Sequence, residues 1–327
     1  MILVTGGTGF IGSHLVERLM AQGRAVRCLV RPTSMGKVSW SIDVAKAIEL
    51  VPGDLDTGAG LPEALRGIRT VIHLAGVTKA RVPADYDRGN ALATAQIVRA
   101  AGEVGRFVHV SSLAAAGPSP ADGALTEEDE PRPVSLYGRS KLAGERIVRQ
   151  SPIAGRSVVV RPPVVYGPRD TDVFQMIRAV ARGWMLQIGR VRRYFSLVYV
   201  ADLVDGLIAA AELENAGGRV FYMAHATAAS WDEFAGTAAR LMRRSFRTLA
   251  IPESAAYVLG SGAEWWSRLS RTPGILSRDK VTEACCPGWV CDPGRACREI
   301  GFCAPTNLEE GLRRTLDWYK EAGWLKF

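Results

Sequence analysis

Two side chains in the segment YGRSK have the types and the spacing for proton transfer. Tyr137 and Lys141 are four residues apart, so on a helix they lie on the same face. A phenol has a pKa near 10, and lowering it by about three units, as a base at neutral pH requires, takes roughly 4 kcal/mol. An ammonium group about 4 Å away, at an effective dielectric constant near 20, supplies about that much. The pair could therefore act as a general acid and base, although a Tyr and a Lys at this spacing are more often plain surface residues.

Three glycines near the start of the chain indicate what could bind beside such a pair. Gly6, Gly9 and Gly12 follow the apolar run Met1–Val4 within TGGTGFIGSH. A strand that turns into a helix at this spacing can hold a pyrophosphate against the helix N-terminus, and Gly9 would allow the close approach. Gly6 suits the tight turn and Gly12 the packing of helix on strand. The context favours a dinucleotide site over a purely structural turn.

The end of the second predicted strand distinguishes two dinucleotides. NAD sites place an Asp or Glu there on the ribose hydroxyls, whereas this chain has Arg31 in CLVRPTS, with Lys37 nearby. An arginine cannot accept a hydrogen bond from a hydroxyl, but it can bind a 2′-phosphate. We therefore predict NADP as the cofactor, with NAD as the alternative if Arg31 only faces solvent.

The pattern of apolar residues predicts the scaffold that positions these groups. Short apolar runs alternate with helical periodicity, which indicates a parallel sheet covered on both faces. Strands are predicted at Ile2–Thr5, Ala25–Val30, Ala47–Val51, Thr70–Leu74, Phe107–Ser111 and Ser157–Arg161. Helices are predicted at Ile11–Ala21, Tyr86–Ala101 and Tyr137–Gln150. The predicted fold class is α/β, a doubly wound parallel sheet of the Rossmann type.

The alternation weakens after about residue 164. Residues 1–163 are predicted to form the dinucleotide-binding domain with the catalytic residues, and residues 164–327 mainly a smaller C-terminal α/β lobe that binds substrate, with some segments returning to the sheet. The predicted elements of this second part are a helix from Ala201, a strand at Arg219–Met223, a helix capped by Ser230 and Glu233, and a helix at Leu308–Tyr319.

Composition excludes several other classes. The formal net charge of +8 comes from scattered Lys and Arg, so no nucleic-acid partner is predicted. No apolar window approaches the roughly 20 residues of a membrane span, and we expect no signal peptide before the first strand. We therefore expect a cytoplasmic protein without disulfides. Five cysteines between Cys285 and Cys303 lack the spacing of a zinc site, and no metal is predicted.

Further motifs make the chain similar to extended short-chain dehydrogenases/reductases, in the NAD-dependent epimerase/dehydratase superfamily. The resemblance covers nearly the whole length. It rests on TGGTGFIG, GDL at Gly53, HLAG at His73, RGNALATA, VSSLAAAG at Val110, YGRSK, RPPVVYGPRD at Arg161 and VYVADLVDG. Relatives commonly dimerise through the helices that correspond to those of Asn90 and Tyr137, so the resemblance also implies a homodimer.

The resemblance implies roles for particular residues. Tyr137 would be the general acid/base, Lys141 would also bind the nicotinamide ribose, Ser112 would hold the reacting carbonyl or hydroxyl, and Asn90 would support a proton relay through water. With the glycine turn and Arg31 included, the predicted cofactor contacts are Gly6, Thr8, Gly9, Phe10, Ile11, Gly12, Arg31, Lys37, Asp54, Leu55, Leu74, Ala75, Gly76, Tyr137, Lys141, Pro162 and Val164.

Two departures bear on the substrate. Sugar-nucleotide enzymes of the superfamily usually have an Asn where this chain has Val164, and an Arg where it has Phe195, with Arg193 displaced by two. An apolar side chain cannot bind phosphate. The departures shift the resemblance toward the dihydroflavonol-reductase-like and 3β-hydroxysteroid-dehydrogenase-like branch, with Tyr257, Val258, Leu259, Trp265 and Trp266 as candidate walls of an apolar pocket.

The predicted function is an NADP-dependent oxidoreductase that transfers hydride between the nicotinamide and a carbonyl or secondary alcohol of a fairly apolar small molecule. The alternative is an NAD-dependent nucleotide-sugar epimerase or dehydratase. A non-catalytic NAD(P)-sensing protein is a third interpretation, which the presence of Ser112, Tyr137 and Lys141 disfavours.

Overall fold

The computed structural model describes residues 1–35, 40, 42–80, 82–214, 217–270 and 277–327, without the side chains at 42, 43, 45 and 264–270. Lys37 and the side chains of Trp265 and Trp266, which the sequence analysis singled out, lie outside the described residues. The strands are β1 Ile2–Thr5, β2 Val26–Val30, β3 Glu49–Pro52, β4 Thr70–His73, β5 Arg106–Val110, β6 Ser157–Arg161, β7 Val164–Tyr166, β8 Trp184–Ile188, β9 Tyr194–Phe195, β10 Leu197–Tyr199, β11 Arg219–Tyr222, β12 Ala229–Ser230, β13 Arg247–Ile251 and β14 Gly288–Trp289.

The helices follow the same order along the chain. They are α1 Phe10–Ala21, α2 Ile42–Ala47, α3 Leu61–Leu65, α4 Pro83–Tyr86, α5 Ala93–Ala100, α6 Leu113–Ala116, α7 Leu136–Arg149, α8 Asp172–Ala181, α9 Val200–Glu212, α10 Trp231–Leu241, α11 Glu253–Ser270, α12 Arg278–Cys285, α13 Gly294–Ile300 and α14 Leu308–Glu321. A π-helical turn, Asp87–Leu92, joins α4 to α5.

Seven parallel strands form the main sheet, in the order β11-β6-β5-β4-β1-β2-β3. The winding reverses between β1 and β4, and in sheets of this type ligands bind in the crevice at that point, beyond the carboxyl ends of the strands. Helices α1 and α9 bury apolar side chains against one face of the sheet, and α3 and α5 against the other. The prediction of a doubly wound parallel α/β fold is confirmed.

The predicted element boundaries mostly agree with the observed ones within two residues, and two differences matter for the fold. Ala47 ends α2, so the third strand begins at Glu49 and runs to Pro52. The helix predicted at Tyr86–Ala101 is divided by the π-helical turn that contains Asn90. An inserted π turn frequently marks a functional position, and periodicity alone does not reveal it.

The second half of the chain contributes both to the main sheet and to a lobe with its own core. β11 pairs with β6, and α9 packs on the sheet. The lobe core is formed by α8, α10 and α14 around buried Tyr166, Phe174, Phe234, Leu312 and Tyr319. The long loop after α6 is attached to this lobe, because Ser119 N donates to Gly288 O at 2.9 Å and Leu125 N donates to Val290 O at 2.8 Å.

Candidate active site

The glycine turn touches the end of the neighbouring strand. Gly6 has φ +73°, a left-handed conformation, and a Cβ there would lie 2.7 Å from Ala75 N. A Cβ on Gly12 would lie 2.1 Å from Gly6 O. Neither position therefore accepts a side chain without moving backbone. The turn and the Leu74–Gly76 segment, both predicted to contact the cofactor, are thus adjacent at the sheet's crevice.

The N-terminus of α1 fits a pyrophosphate. Gly9 is the residue that precedes the helix, and no side chain among the described residues caps it. The first backbone N–H groups of an α-helix have no partner within the helix, so they can donate to an anion that approaches across the exposed Gly9. Thr8, Phe10 and Ile11 are partly exposed around it, as a ligand-contacting turn requires.

The Arg31 side chain lies at the end of β2, next to the end of β3. Its guanidinium is half exposed, with Nε 3.9 Å from Asp54 Oδ1, and Leu55 is buried beside Asp54. Arg31 and Asp54, both predicted to contact the adenosine half of the cofactor, are thus neighbours. A cation at this position can reach a phosphate on the ribose.

Ser112, Tyr137 and Lys141 lie together at the carboxyl ends of the central strands. Ser135 caps α7 by accepting from Gly138 N at 3.0 Å, which places Tyr137 in the first turn and Lys141 one turn later. The Ser112 hydroxyl accepts from Ala114 N at 3.2 Å and also interacts with the Tyr137 phenol. The predicted catalytic trio is therefore assembled from α7 and the segment that joins β5 to α6.

The protonation of this trio is set mainly by burial. Burial raises the pKa of Tyr137, and the hydrogen bond from Ser112 and the charge of Lys280 oppose that increase. Burial lowers the pKa of Lys141 to about 8, with Glu145 acting in the opposite direction. The Lys141 ammonium donates to Val110 O at 2.8 Å, which fixes its position at the end of β5.

A buried ion pair connects the elements that carry the trio. Glu145, on α7, accepts from Arg161 Nε at 2.9 Å and Nη2 at 2.7 Å, and the Ser111 hydroxyl donates to the same carboxylate at 2.5 Å. Arg161 Nη1 also donates to the Tyr222 hydroxyl at 3.2 Å. Arg161 precedes Pro162, whose carbonyl accepts from Leu113 N at 2.9 Å, so Pro162 and Ser112 are held beside each other.

Asn90 forms hydrogen bonds with the loop that follows β4. Its side-chain oxygen accepts from Val77 N at 2.8 Å, and its amide donates to Val77 O at 3.0 Å and to Ser140 Oγ at 2.8 Å. A Cβ on Gly76 would lie 2.8 Å from the Asn90 oxygen and 3.6 Å from Lys141 Nζ. Asn90 therefore holds the predicted cofactor segment against α7, and its role in a proton relay stays a prediction.

Residues that the sequence analysis did not identify also reach Tyr137. Lys280 Nζ lies 5.6 Å from the centre of the Tyr137 ring, and Glu283 Oε2 lies 2.8 Å from that ammonium. Asp279 accepts from the backbone N–H groups of Leu136 and Tyr137. All three belong to α12, about 140 positions further along the chain, where no motif or spacing marks them.

The residues predicted to line an apolar pocket differ in exposure, and so do those at the positions where sugar-nucleotide enzymes bind phosphate. Val258 and Leu259 are exposed, whereas the Tyr257 hydroxyl donates to Thr282 Oγ1 on α12 at 3.4 Å. Val164 is partly buried at the start of β7, and Phe195 is buried and stacked on Trp231 with ring centres 4.1 Å apart.

Among the described residues, no helix has the length and apolarity to cross a membrane, and no group of three or more His, Cys, Asp or Glu could hold a metal ion. All six cysteines are free thiols in the described structure; Cys28 and Cys291 are buried, and the Cys297 and Cys303 sulfurs are in contact at 2.6 Å.

Comparison with known proteins decides the family. The sequence profile of the NAD dependent epimerase/dehydratase family matches residues 2–224. The chain belongs to this family. It is 32% identical to a ceramide reductase of Caulobacter vibrioides over 99% of this chain and 96% of the relative. It is 28% identical to a 3 beta-hydroxysteroid dehydrogenase/Delta 5-->4-isomerase of Mycobacterium tuberculosis over 97% of this chain and 90% of the relative.

A solved structure agrees with the fold. The structure of MoeE5 in complex with UDP-glucose and NAD superimposes with a TM-score of 0.75 at 30% identity, covering 98% of this chain and 99% of that chain. The prediction of an extended short-chain dehydrogenase/reductase close to the hydroxysteroid dehydrogenase branch is confirmed by the relatives. The protein is an NAD(P)-dependent enzyme of this family with oxidoreductase relatives.

Proposed function

We propose that this protein is an NADP-dependent oxidoreductase that interconverts a carbonyl and a secondary alcohol on a fairly apolar small molecule. The observation that carries the proposal is the grouping of Ser112, Tyr137 and Lys141 at the carboxyl ends of the central strands, next to the glycine turn. The two relatives named for a ceramide and a hydroxysteroid support an apolar skeleton for the substrate.

In the direction of reduction, Tyr137 would donate its phenolic proton to the carbonyl oxygen of the substrate. The Ser112 hydroxyl would donate a hydrogen bond to the same oxygen, so that the charge developing there is stabilised before the proton arrives. The nicotinamide supplies the hydride when the cofactor is bound. The Lys141 ammonium would stabilise the phenolate that remains and hold a ribose hydroxyl. Ketone, hydride and proton together give the alcohol, and the reverse reaction uses Tyr137 as the base.

The choice of NADP rests on Arg31. The guanidinium is half exposed and makes one loose contact with Asp54, so it can turn toward a 2′-phosphate without breaking a close ion pair. Among the described residues at the end of β2, no carboxylate takes the place where an NAD site would bind the ribose hydroxyls. Lys37 stays part of the prediction, outside the described residues.

The nucleotide-sugar alternative lacks a binding group for the substrate's phosphates. Phe195 is buried in the lobe core, where an arginine would be needed. The displaced Arg193 is already engaged, because it donates to Ile188 O at 2.7 Å and pairs with Glu253 at 2.6 Å. Val164 offers no hydrogen bond from its side chain. These contacts favour an apolar substrate over a UDP-sugar.

One set of assays tests the catalytic part of the proposal. NADPH consumption is followed with ketones on N-acylated long chains, on steroids and on short alkyl chains, and UDP-glucose is tested for interconversion without net NADPH use. Tyr137→Phe is expected to lower kcat by about 100-fold or more, since a positioned acid contributes that much. The matched control Tyr194→Phe removes a hydroxyl from an exposed ring and should leave kcat unchanged. Full turnover by Tyr137→Phe would refute the assignment.

A second assay tests the cofactor. Arg31→Ala is expected to weaken NADPH binding by about tenfold to 100-fold, as for loss of a charged hydrogen-bonding partner, and to change NADH binding little. Equal losses for both dinucleotides, or tighter binding of NADH by the unaltered protein, would contradict the argument. A homodimer and a cytoplasmic location remain part of the proposed description.

A further inference from the structure

The C-terminal lobe places a lysine against the tyrosine to which the proposed chemistry assigns the proton. The Lys280 ammonium lies 5.6 Å from the centre of the Tyr137 ring and pairs with Glu283 Oε2 at 2.8 Å. No step described above uses this lysine. A charged group this close to a titrating phenol shifts the pKa of that phenol.

The position of Lys280 is fixed by several independent contacts of α12. Ser277 caps this helix by accepting from Lys280 N at 3.2 Å. The Asp279 carboxylate accepts from Leu136 N at 2.9 Å, which attaches α12 to the first turn of α7. Trp289 Nε1 donates to Glu283 O at 2.8 Å. These contacts hold the backbone of α12 against α7, and the partly exposed Lys280 side chain extends from there to the Tyr137 ring.

We propose that Lys280 is an electrostatic partner of Tyr137, supplied by the C-terminal lobe and paired there with Glu283, that stabilises the phenolate together with Lys141. The inference deepens the proposed function, because it gives the active site a second cation from outside the Rossmann part of the chain. Lys280 acts through Tyr137 and is a positioning residue.

Several charged and titratable groups surround Tyr137, and Lys280 and Glu283 move its pKa in opposite directions. Lys280 and Glu283 face it from α12, Tyr86 packs 6.1 Å away from α4, and Lys141 lies on its own helix. Asp279 binds the backbone of that helix and is near Arg139. Lys280 lowers the pKa of Tyr137, whereas Glu283 raises it more weakly. Removing the lysine should therefore disfavour the phenolate, and removing the carboxylate should favour it.

The test follows the ionisation of Tyr137 directly, without substrate. Full-length protein labelled with 13Cζ-tyrosine is titrated by NMR, and Tyr137→Phe assigns the resonance by its disappearance. Lys280→Met is expected to move the Tyr137 midpoint upward by about one pH unit, the lower end of the effect of a nearby opposite charge. Lys280→Arg should restore the midpoint of the unaltered protein. The control Lys320→Met removes a lysine in the last turn of α14, where its ammonium lies over the Phe327 ring, and should move nothing.

Glu283→Gln gives an independent test in which the Tyr137 midpoint should shift in the opposite direction. It also replaces Lys280→Met if that variant does not fold. It removes the opposing carboxylate, so the Tyr137 midpoint should move downward. An unchanged midpoint in a folded Lys280→Met protein, or an unchanged or raised midpoint in Glu283→Gln, would overturn the inference.

The titration also separates this inference from the proposed function. If Tyr137→Phe kept full turnover while the Tyr137 midpoint shifted as expected in Lys280→Met, the catalytic role of Tyr137 would be refuted. The electrostatic pairing with Lys280 would still be supported. If Tyr137→Phe were inactive and the Tyr137 midpoint did not move in Lys280→Met, only the pairing with Lys280 would be refuted.

Discussion

Glu145→Gln tests how the sheet and the helix of the active site are joined. The Glu145 and Arg161 side chains are 1% and 2% exposed, and the carboxylate accepts two hydrogen bonds from the guanidinium and one from Ser111. Burial lowers the pKa of Arg161, but the hydrogen bonds and charge of Glu145 raise it well above its ordinary value. The ordinary pKa of arginine is so high that Arg161 also stays charged when this partner is removed.

The expected loss of stability follows from the unpaired charge that would remain buried on Arg161. Gln keeps the shape of Glu145 but loses its charge, and its NH2 group would oppose an N–H donor of Arg161 or the hydroxyl of Ser111. Breaking a buried pair from one side costs about 3–5 kcal/mol, so the free energy of unfolding should fall by that amount. Replacing both partners, as in Glu145→Leu with Arg161→Met, should cost less than Glu145→Gln alone, since no unpaired charge remains.

Urea unfolding followed by tryptophan fluorescence measures this loss. The matched control is Glu309→Gln, which breaks a pair with Arg240 on the exposed surface and should leave the unfolding midpoint unchanged. If Glu145→Gln unfolded at the same urea concentration as the control, the buried pair would not hold the site together as argued. The change should also lower the pKa of Lys141 below about 8, because Glu145 raises it, and so reduce the charged fraction of Lys141 at neutral pH.

Two further predictions concern the glycine turn and the pH dependence of stability. Gly12→Ala should abolish binding of both dinucleotides in a calorimetric titration, because its Cβ would lie 2.1 Å from a backbone oxygen; Gly102→Ala, where nothing lies within 4 Å, is the control and binding there should be unaffected. Burial lowers the pKa of His73 to about 3 and that of His109 well below its ordinary value, so both stay neutral in the folded chain. Below about pH 6.5 the unfolded chain binds protons that the folded chain cannot, and stability should fall by up to about 1.4 kcal/mol per pH unit for each histidine. His109→Leu should make that loss less steep in urea unfolding between about pH 6.5 and 4, unlike His225→Asn at a partly exposed histidine; equal slopes would contradict the account.

The parts of the site that the sequence predicted are those whose geometry is local. Tyr137 and Lys141 share a helix face because four residues nearly complete a turn, and the structure places both on α7. Gly12 lies in the first turn of α1, and the conflict that a Cβ would meet there is with Gly6, six residues earlier, in the four-residue turn between β1 and α1. Such relations depend on spacing alone, so a single sequence is enough to predict them.

The remaining parts depend on packing between segments far apart in the chain. Lys280 reaches Tyr137 only because Asp279 attaches α12 to the start of α7, and neither residue stands in a recognisable pattern. The sequence predicts Asn90 as a site residue, but not its hydrogen bonds to Val77. Those bonds depend on a π-helical turn, whereas the apolar periodicity predicts a continuous helix there. Propensity and periodicity carry no information about either contact.

The attachment of α12 to α7 bears on how the two parts of the enzyme depend on each other. The Asp279 carboxylate sits at the N-terminus of α7, where it satisfies helix N–H groups and complements the positive end of the helix dipole. The same helix carries Tyr137 and Lys141, and the next residue of α12 is the lysine beside the Tyr137 ring. A lobe that served only as a wall for substrate would need none of these polar contacts. Displacement of α12 would therefore alter both the anchoring of the helix that carries Tyr137 and the charge next to that tyrosine, so under the proposed function the lobe would affect the chemistry as well as substrate binding.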